Sequence, residues 1–293
     1  TTHQTKQLFY GAVASEALVR VAEAQLKRAQ QQLQISVQKL RAGSATRSDS
    51  LRSTVEFGNA RIALLRTQAN LATAQADLGR QIGVEGLVRA VFDSTLPPMP
   101  DTANLRRTAL STSPAVEQAE ARASAARALV WSARAQYWPS VVVSYVNNRQ
   151  GSENPSWPLF GNYPETFQWR LGLSWPLLNG FNREANQVSA SVARDVSVAG
   201  AAETKRSINA LVTAQLAVLA TAFQQINIAD ENLAAAQEDL RVQSERYRVG
   251  AATILDMLTS QAALTEAEVN VIQTRFDYLI ARSQLEATVG RTL

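Results

Sequence analysis

Residues 248–258 read RVGAATILDML, and residues 41–51 read RAGSATRSDSL. The two stretches share the frame Arg-x-Gly-x-x-Thr-x-x-Asp-x-Leu and stand 207 residues apart. Each is the chemistry of a helix end joined to a helix start. Gly43 and Gly250 can take the left-handed conformation that closes a tight turn. Thr46 and Thr253 can then cap a new helix, with Asp49 and Asp256 three residues on, where a capping box and the helix dipole both favour an acid. The echo predicts that a whole structural unit occurs twice.

Apolar periodicity extends the match in both directions. Before the first turn, Val19, Ala22, Leu26, Ala29, Leu33, Ser36 and Leu40 step by 3 and 4, one stripe along a helix; a shift of 207 gives Ile226, Ala229, Leu233, Ala236, Leu240, Gln243 and Tyr247. After the turns, Leu51, Val55, Gly58, Ile62, Leu65, Ala69 and Ala72 are matched by Leu258, Ala262, Thr265, Val269, Ile272, Phe276 and Leu279, a coiled-coil seam in each copy. Both copies then stop at a glycine 40 residues beyond the turn glycine, Gly83 and Gly290. So many equal offsets predict a duplication.

Five regions follow. Residues 1–90 are the long helical hairpin of the first repeat, and residues 91–101 (VFDSTLPPMPD) are a Pro-rich linker. Residues 102–137 form one helix of the second repeat, residues 138–178 a β-hairpin with a turn-rich loop carrying Trp157 and Phe160, and residues 179–293 the second long helical hairpin. A helix from about residue 182 to 248 would be on the order of 100 Å long, with stripes that it cannot bury without lateral neighbours. Because the second copy holds a helix and a strand pair ahead of its long hairpin, the present sequence is expected to lack the N-terminal helix and hairpin of the first.

The strand TFQWRLGLSW, residues 166–175, alternates with period two: Phe167, Trp169, Leu171 and Leu173 on one face, Gln168, Arg170, Gly172 and Ser174 on the other. Ten residues with one apolar and one polar face suit a transmembrane β-barrel strand, whose lipid-facing residues would be those four. Trp138 and Trp175 at the hairpin base would share one membrane level as an aromatic girdle. A soluble hairpin packed on a helix has the same pattern. Two strands cannot span lipid alone, because both edges would leave backbone groups unpaired, so a barrel would need other subunits.

Composition excludes more than it selects. The 293 residues are 46% hydrophobic, too apolar for a disordered chain, and contain no cysteine, which rules out disulfides, thiolate metal sites and thiol nucleophiles. The net charge of +4 comes from arginines interspersed with acids along helices, a solvated surface and not a nucleic-acid face. No basic-then-apolar leader opens the sequence, and the longest apolar run, residues 210–223, is shorter than a membrane helix and reads as a buried seam. His3 is the only histidine, and neither a phosphate loop nor a nucleophile elbow occurs, so neither enzymatic activity nor a cofactor or metal is expected.

The paired turns, AQYWPSVVVSY entering a strand, LSWPLLNGFNR leaving one, and the helix ends LGRQIG and LEATVG together resemble the TolC-like family of outer membrane efflux proteins along essentially the whole chain. That resemblance implies a mainly α fold with a β-hairpin. Long coiled-coil hairpins would build a periplasmic α-barrel tunnel, and the strands would enter a transmembrane β-barrel closed by a homotrimer in the outer membrane of a Gram-negative bacterium. It further implies a passive conduit carrying small molecules from an inner membrane transporter, joined by a periplasmic adaptor protein at the turns: Arg41, Gly43 and Ser44, and Arg248, Val249, Gly250 and Ala251. The pore aperture would involve Asp49, Tyr247 and Asp256, while the family's basic position two residues past the second turn glycine is Ala252 here. A duct for type I protein secretion and a soluble coiled-coil scaffold are the alternatives.

Overall fold

The computed structural model describes residues 2–92, 95–100, 104–149 and 165–293. In chain order its elements are α1 (Thr2–Arg41), α2 (Arg47–Ile82), α3 (Leu105–Thr112), α4 (Pro114–Ala135), β1 (Ser140–Arg149), β2 (Glu165–Ser174), α5 (Asn182–Arg248) and α6 (Ile254–Val289). They fall into two compact units, Thr1–Pro114 with Ser207–Leu293, and Ala115–Arg206. The loop with Trp157 and Phe160 lies outside the described residues.

In the first unit α1 lies between α2 and α6. Arg28 on α1 bonds Glu268 at 2.7 Å and Thr265 at 3.2 Å on α6, and His3 Nδ1 stands 3.0 Å from the Ser283 hydroxyl. On the other side of α6, Ser260 donates to the Asp239 carboxylate of α5, and the Phe223 ring lies 5.6 Å from that of Tyr278. The linker crosses α6: Pro97 O accepts from the Tyr278 hydroxyl at 2.9 Å and Pro98 O from Arg282 at 2.8 Å. α6 is therefore covered from several directions, and Tyr278 and Leu285 are fully buried. Part of α5 is apolar and long enough to cross a membrane by composition alone. Its buried residues Ile208, Val212, Gln215, Leu219, Ala222, Ile226 and Ala229 nevertheless step by 4 and 3 along one side, the pattern of a helix packed on helices.

The first stripe of α1 is buried or half-buried along its length. The stripe assigned to α2 is not: Leu51, Val55, Ile62 and Leu65 are all exposed. α2 instead turns Ser53, Phe57, Ala60, Leu64, Thr67, Leu71, Ala74 and Leu78 inward, a second stripe with the same 4 and 3 steps. Two stripes offset by two residues lie about 200° apart on a helix, so one neighbour covers only one of them. The small residues face α1, where Ser36 and Ser53 meet at 2.8 Å. Shifted by 207, that inner stripe becomes Ser260, Leu264, Ala267, Val271, Thr274, Tyr278, Ala281 and Leu285, every one buried or half-buried in α6.

A second correction concerns the single helix expected over residues 102–137: the described residues there form two helices, α3 and α4. The chain breaks at Ser113, in the extended region with ψ 124°. Pro114 has no N–H to continue the ladder, and its ring disfavours helical geometry in the residue before it. The break seats the end of α6: the Thr112 hydroxyl donates to Val289 O. At Gly290, with φ +85°, a Cβ would lie 2.4 Å from Thr112 O.

In the second unit α4 lines the start of α5, with Lys205 and Glu120 paired across them. β1 and β2 are antiparallel from Ser140↔Ser174 to Arg149↔Glu165.

Candidate functional site

Two features hold the residues that the sequence singles out, the interhelical turns of the first unit and the strand pair of the second.

The turns share one geometry. Gly43 has φ +73° and Gly250 φ +82°; Thr46 sits at φ −87°, ψ 160° and Thr253 at φ −86°, ψ 164°. In both, the threonine hydroxyl accepts the aspartate N–H at 3.2 Å, while the aspartate carboxylate accepts the threonine N–H, at 2.9 Å for Asp49 and 2.8 Å for Asp256. Those bonds favour the charged form. The Thr46 N–H first, then its hydroxyl, hold the Asp49 carboxyl below its ordinary value, and Thr253 does the same for Asp256. Both are carboxylates at neutral pH, serving as caps and presenting negative charge at the same time.

Around this frame the turns differ. The second closes on an apolar cluster of Tyr247, Ile254 and Met257, with Ala252 and Leu258 against it. Its cations are engaged within the hairpin: Arg248 pairs with Glu245 at 2.9 Å, and Arg246 donates to Ala251 O at 3.2 Å. At the first turn Arg41, Gly43 and Ser44 are exposed, as are Val249, Gly250 and Ala251 at the second. Tyr247 meets neither aspartate. Its ring lies 4.1 Å under the Lys39 ammonium, which also donates to Tyr247 O, and its hydroxyl is buried without a partner among the described residues. Lys39 thus ties the end of α1 to the end of α5, partly through a cation–π contact. Nothing in the one-dimensional pattern singles it out, since its counterpart Arg246 faces its own turn.

In the strand pair, the register places Val141, Val143, Tyr145 and Asn147 beside Leu173, Leu171, Trp169 and Phe167. One apolar face therefore runs across both strands, with the Tyr145 and Trp169 rings 4.8 Å apart. The alternation in β1 was readable from Val-x-Val-x-Tyr, had it been aligned with β2. All ten residues of β2 are exposed, Leu171 at 75%. At the base Trp138 is exposed, while Trp175 Nε1 donates to Tyr137 O at 3.2 Å. Arg183 lies over the Tyr137 ring and donates to the carbonyls of Pro176 and Leu177, fastening the base to α5.

Comparison with known proteins gives consistent matches. Residues 105–291 match the family model described as outer membrane efflux protein. The chain is 26% identical over 178 residues to the probable efflux pump outer membrane protein TtgC of Pseudomonas putida, a match covering 60% of this chain and 36% of that protein. It is 27% identical over 285 residues to the pyoverdine export outer membrane protein OpmQ of Pseudomonas aeruginosa, covering 92% of this chain and 56% of that one. The chain thus spans between about a third and a half of the length of these relatives. Its fold superposes on the Campylobacter jejuni outer membrane channel CmeC with a TM-score of 0.78 at 14% identity, over 98% of this chain and 62% of that one.

Proposed function

The chain belongs to the outer membrane efflux protein family, and on that footing we propose that it forms, as a homotrimer, a passive channel-tunnel of the Gram-negative outer membrane that exports small molecules. The observation that carries this reading is the strand pair. A continuous apolar face spans both strands, every residue of β2 is exposed, and the two outer edges have no strand beside them among the described residues. In water such a hairpin would be marginal; in a closed barrel the apolar face meets lipid and the edges pair with further strands. Phe167, Trp169, Leu171 and Leu173 are the lipid contacts, and Trp138 and Trp175 the girdle at the membrane surface.

The helices support the trimer. α2 leaves Leu51, Val55, Ile62 and Leu65 exposed, and α5 leaves Leu211, Val218 and Ile228 exposed. An α2 edge of one subunit set against an α5 edge of the next is a head-to-tail contact, the kind that forms a ring when its rotation closes. The long hairpins then make the periplasmic tunnel. Their turns form its tip, where a periplasmic adaptor joins the channel to an inner membrane transporter, and where Tyr247, Asp49 and Asp256 surround the aperture. Cargo of the small-molecule kind fits the relatives' names, efflux pump and pyoverdine export.

Reconstitution of the full-length protein into planar bilayers tests the proposal. Discrete, cation-preferring conductance is expected, because three Asp256 carboxylates near the axis form an acidic ring, and Asp256→Asn should remove the preference. A protein that is monodisperse in plain buffer and never enters liposomes would instead be a soluble scaffold.

A further inference from the structure

The two turns have the same backbone and caps but opposite surfaces. Where the second turn has Ile254 as the first residue of its helix, the first has Arg47; Met257 is matched by Ser50, and Tyr247 by Leu40. Ile254, Tyr247 and Met257 are buried, at 3%, 7% and 8% exposure, whereas Arg47 is exposed. The first turn thus has a charge at the helix start where the second has a buried apolar side chain. Arg41 and Arg47 have no ion-pair or hydrogen-bond partner among the described residues, and Arg52 acts on Asp49 only as a nearby charge without pairing with it. Lys39 is spent on Tyr247, and Asp49 is spent on its cap.

Arg47 is also badly placed for the helix it begins. A cation in the first turn opposes the macrodipole, which favours acids there. Three unpaired guanidinium groups around one exposed turn are destabilising for the isolated chain and gain only when carboxylates arrive to take their forked donors. The second turn offers no such site, because Arg248 already holds Glu245 and Arg246 holds its own turn.

We propose that the turn at residues 41–52 is the docking face for an acidic helical-hairpin tip of the periplasmic adaptor, and that the turn at 248–254 is a self-packed strut that contributes little to that charge recognition. This rests on the reading of the turns as the adaptor-binding end. Charge complementarity chooses the partner: three arginines on an exposed turn fit carboxylates presented by another turn of similar shape.

The test uses two synthetic helical-hairpin peptides, identical except for three Glu or three Gln beside the turn, titrated by fluorescence anisotropy against the full-length protein in detergent. The Glu hairpin should bind about 10-fold tighter than the Gln hairpin at about 50 mM salt and lose most of that advantage at about 300 mM, as screened rim charges do. The triple variant Arg41→Gln, Arg47→Gln, Arg52→Gln should abolish the difference while melting no lower than wild type, since it relieves the helix start. Arg248→Gln should change binding less than about 2-fold. Equal binding of both hairpins would overturn the charge recognition and leave docking at the turns standing. An unfolded peptide of equal charge that binds as tightly as the Glu hairpin would make this a general anion site, and a loss from Arg248→Gln as large as from the triple variant would remove the asymmetry. Failure of both hairpins to bind would take the docking reading down with the proposal.

Discussion

α2 and α6 begin with the same capped turn, end at the same glycine and carry the same two stripes, yet one is an edge and the other a centre. In α2 only the stripe from Ser53 to Leu78 is turned inward; in α6 its counterpart from Ser260 to Leu285 is buried, and the second stripe is half-covered as well, with Phe276 6.5 Å from Phe92 and Thr265 bonded to Arg28. A helix with apolar residues on two opposite sides needs two neighbours. α6 finds them within the chain, whereas α2 has α1 on one side and Leu51, Val55, Ile62 and Leu65 uncovered on the other. An exposed seam of coiled-coil spacing is the contact surface on which the proposed trimer rests.

Charging the uncovered stripe should separate the two helices most sharply. Ile62→Asp with Leu65→Asp is expected to leave the helix content and melting of the subunit intact but abolish the proposed trimer, as read by light scattering in detergent. The counterpart pair, Val269→Asp with Ile272→Asp, should lower folded yield and melting temperature instead. If the α2 pair unfolds the chain just as the α6 pair does, α2 is not an edge.

Truncation in the shared inner stripe comes next. Tyr278→Ala removes a fully buried ring and its bond to Pro97 O, and should cost about 3–5 kcal/mol in urea unfolding. Leu71→Ala, at the counterpart position in α2, removes a half-buried side chain and should cost about 1–2 kcal/mol. Equal losses would mean that α2 is as well covered as α6.

The caps should behave alike, because they are alike. Thr46→Ala and Thr253→Ala are each expected to cost about 1 kcal/mol, read as faster hydrogen exchange in the first turn of α2 and of α6. A large effect at one turn alone would break the equivalence of the two caps.

The smallest effect is that of acid. Asp49 and Asp256 titrate below the ordinary carboxyl value when folded, so their contribution is complete above the unfolded value of about 3.9 and is lost as pH falls through the lower folded value. Exchange protection at both helix starts should therefore hold from neutral pH to about pH 4 and fall below it, and Asp49→Asn or Asp256→Asn should flatten that fall at its own turn only.

How much of this was legible follows from the range of each interaction. Thr46 with Asp49, and Thr253 with Asp256, close capping boxes over three residues, so the sequence announces them. Gly43 and Gly250 announce the turns in the same way. The break before Pro114 has an equally local signal, Pro114 itself, which the single helix expected over residues 102–137 does not take into account. The choice of stripe in α2 had none: both stripes have the same period, and burial follows from where α1 lies. Lys39 over Tyr247 joins residues 208 apart, and no spacing rule connects them. The arginines of the first turn are visible one by one in the sequence; that Arg248 pairs with Glu245 while Arg41 and Arg47 have no partner among the described residues depends on side-chain placement.

The sequence by itself determined the length of the long helices of the two hairpins, their turns and caps, the alternating strand and the family, because these rest on contacts within a few residues of the chain and on period. The tertiary structure decided which apolar face is a core and which is left exposed, which tyrosine is pinned and which arginines remain unpaired. Those are properties of neighbours, and a helix with two equivalent faces holds no record of which one its neighbour will cover.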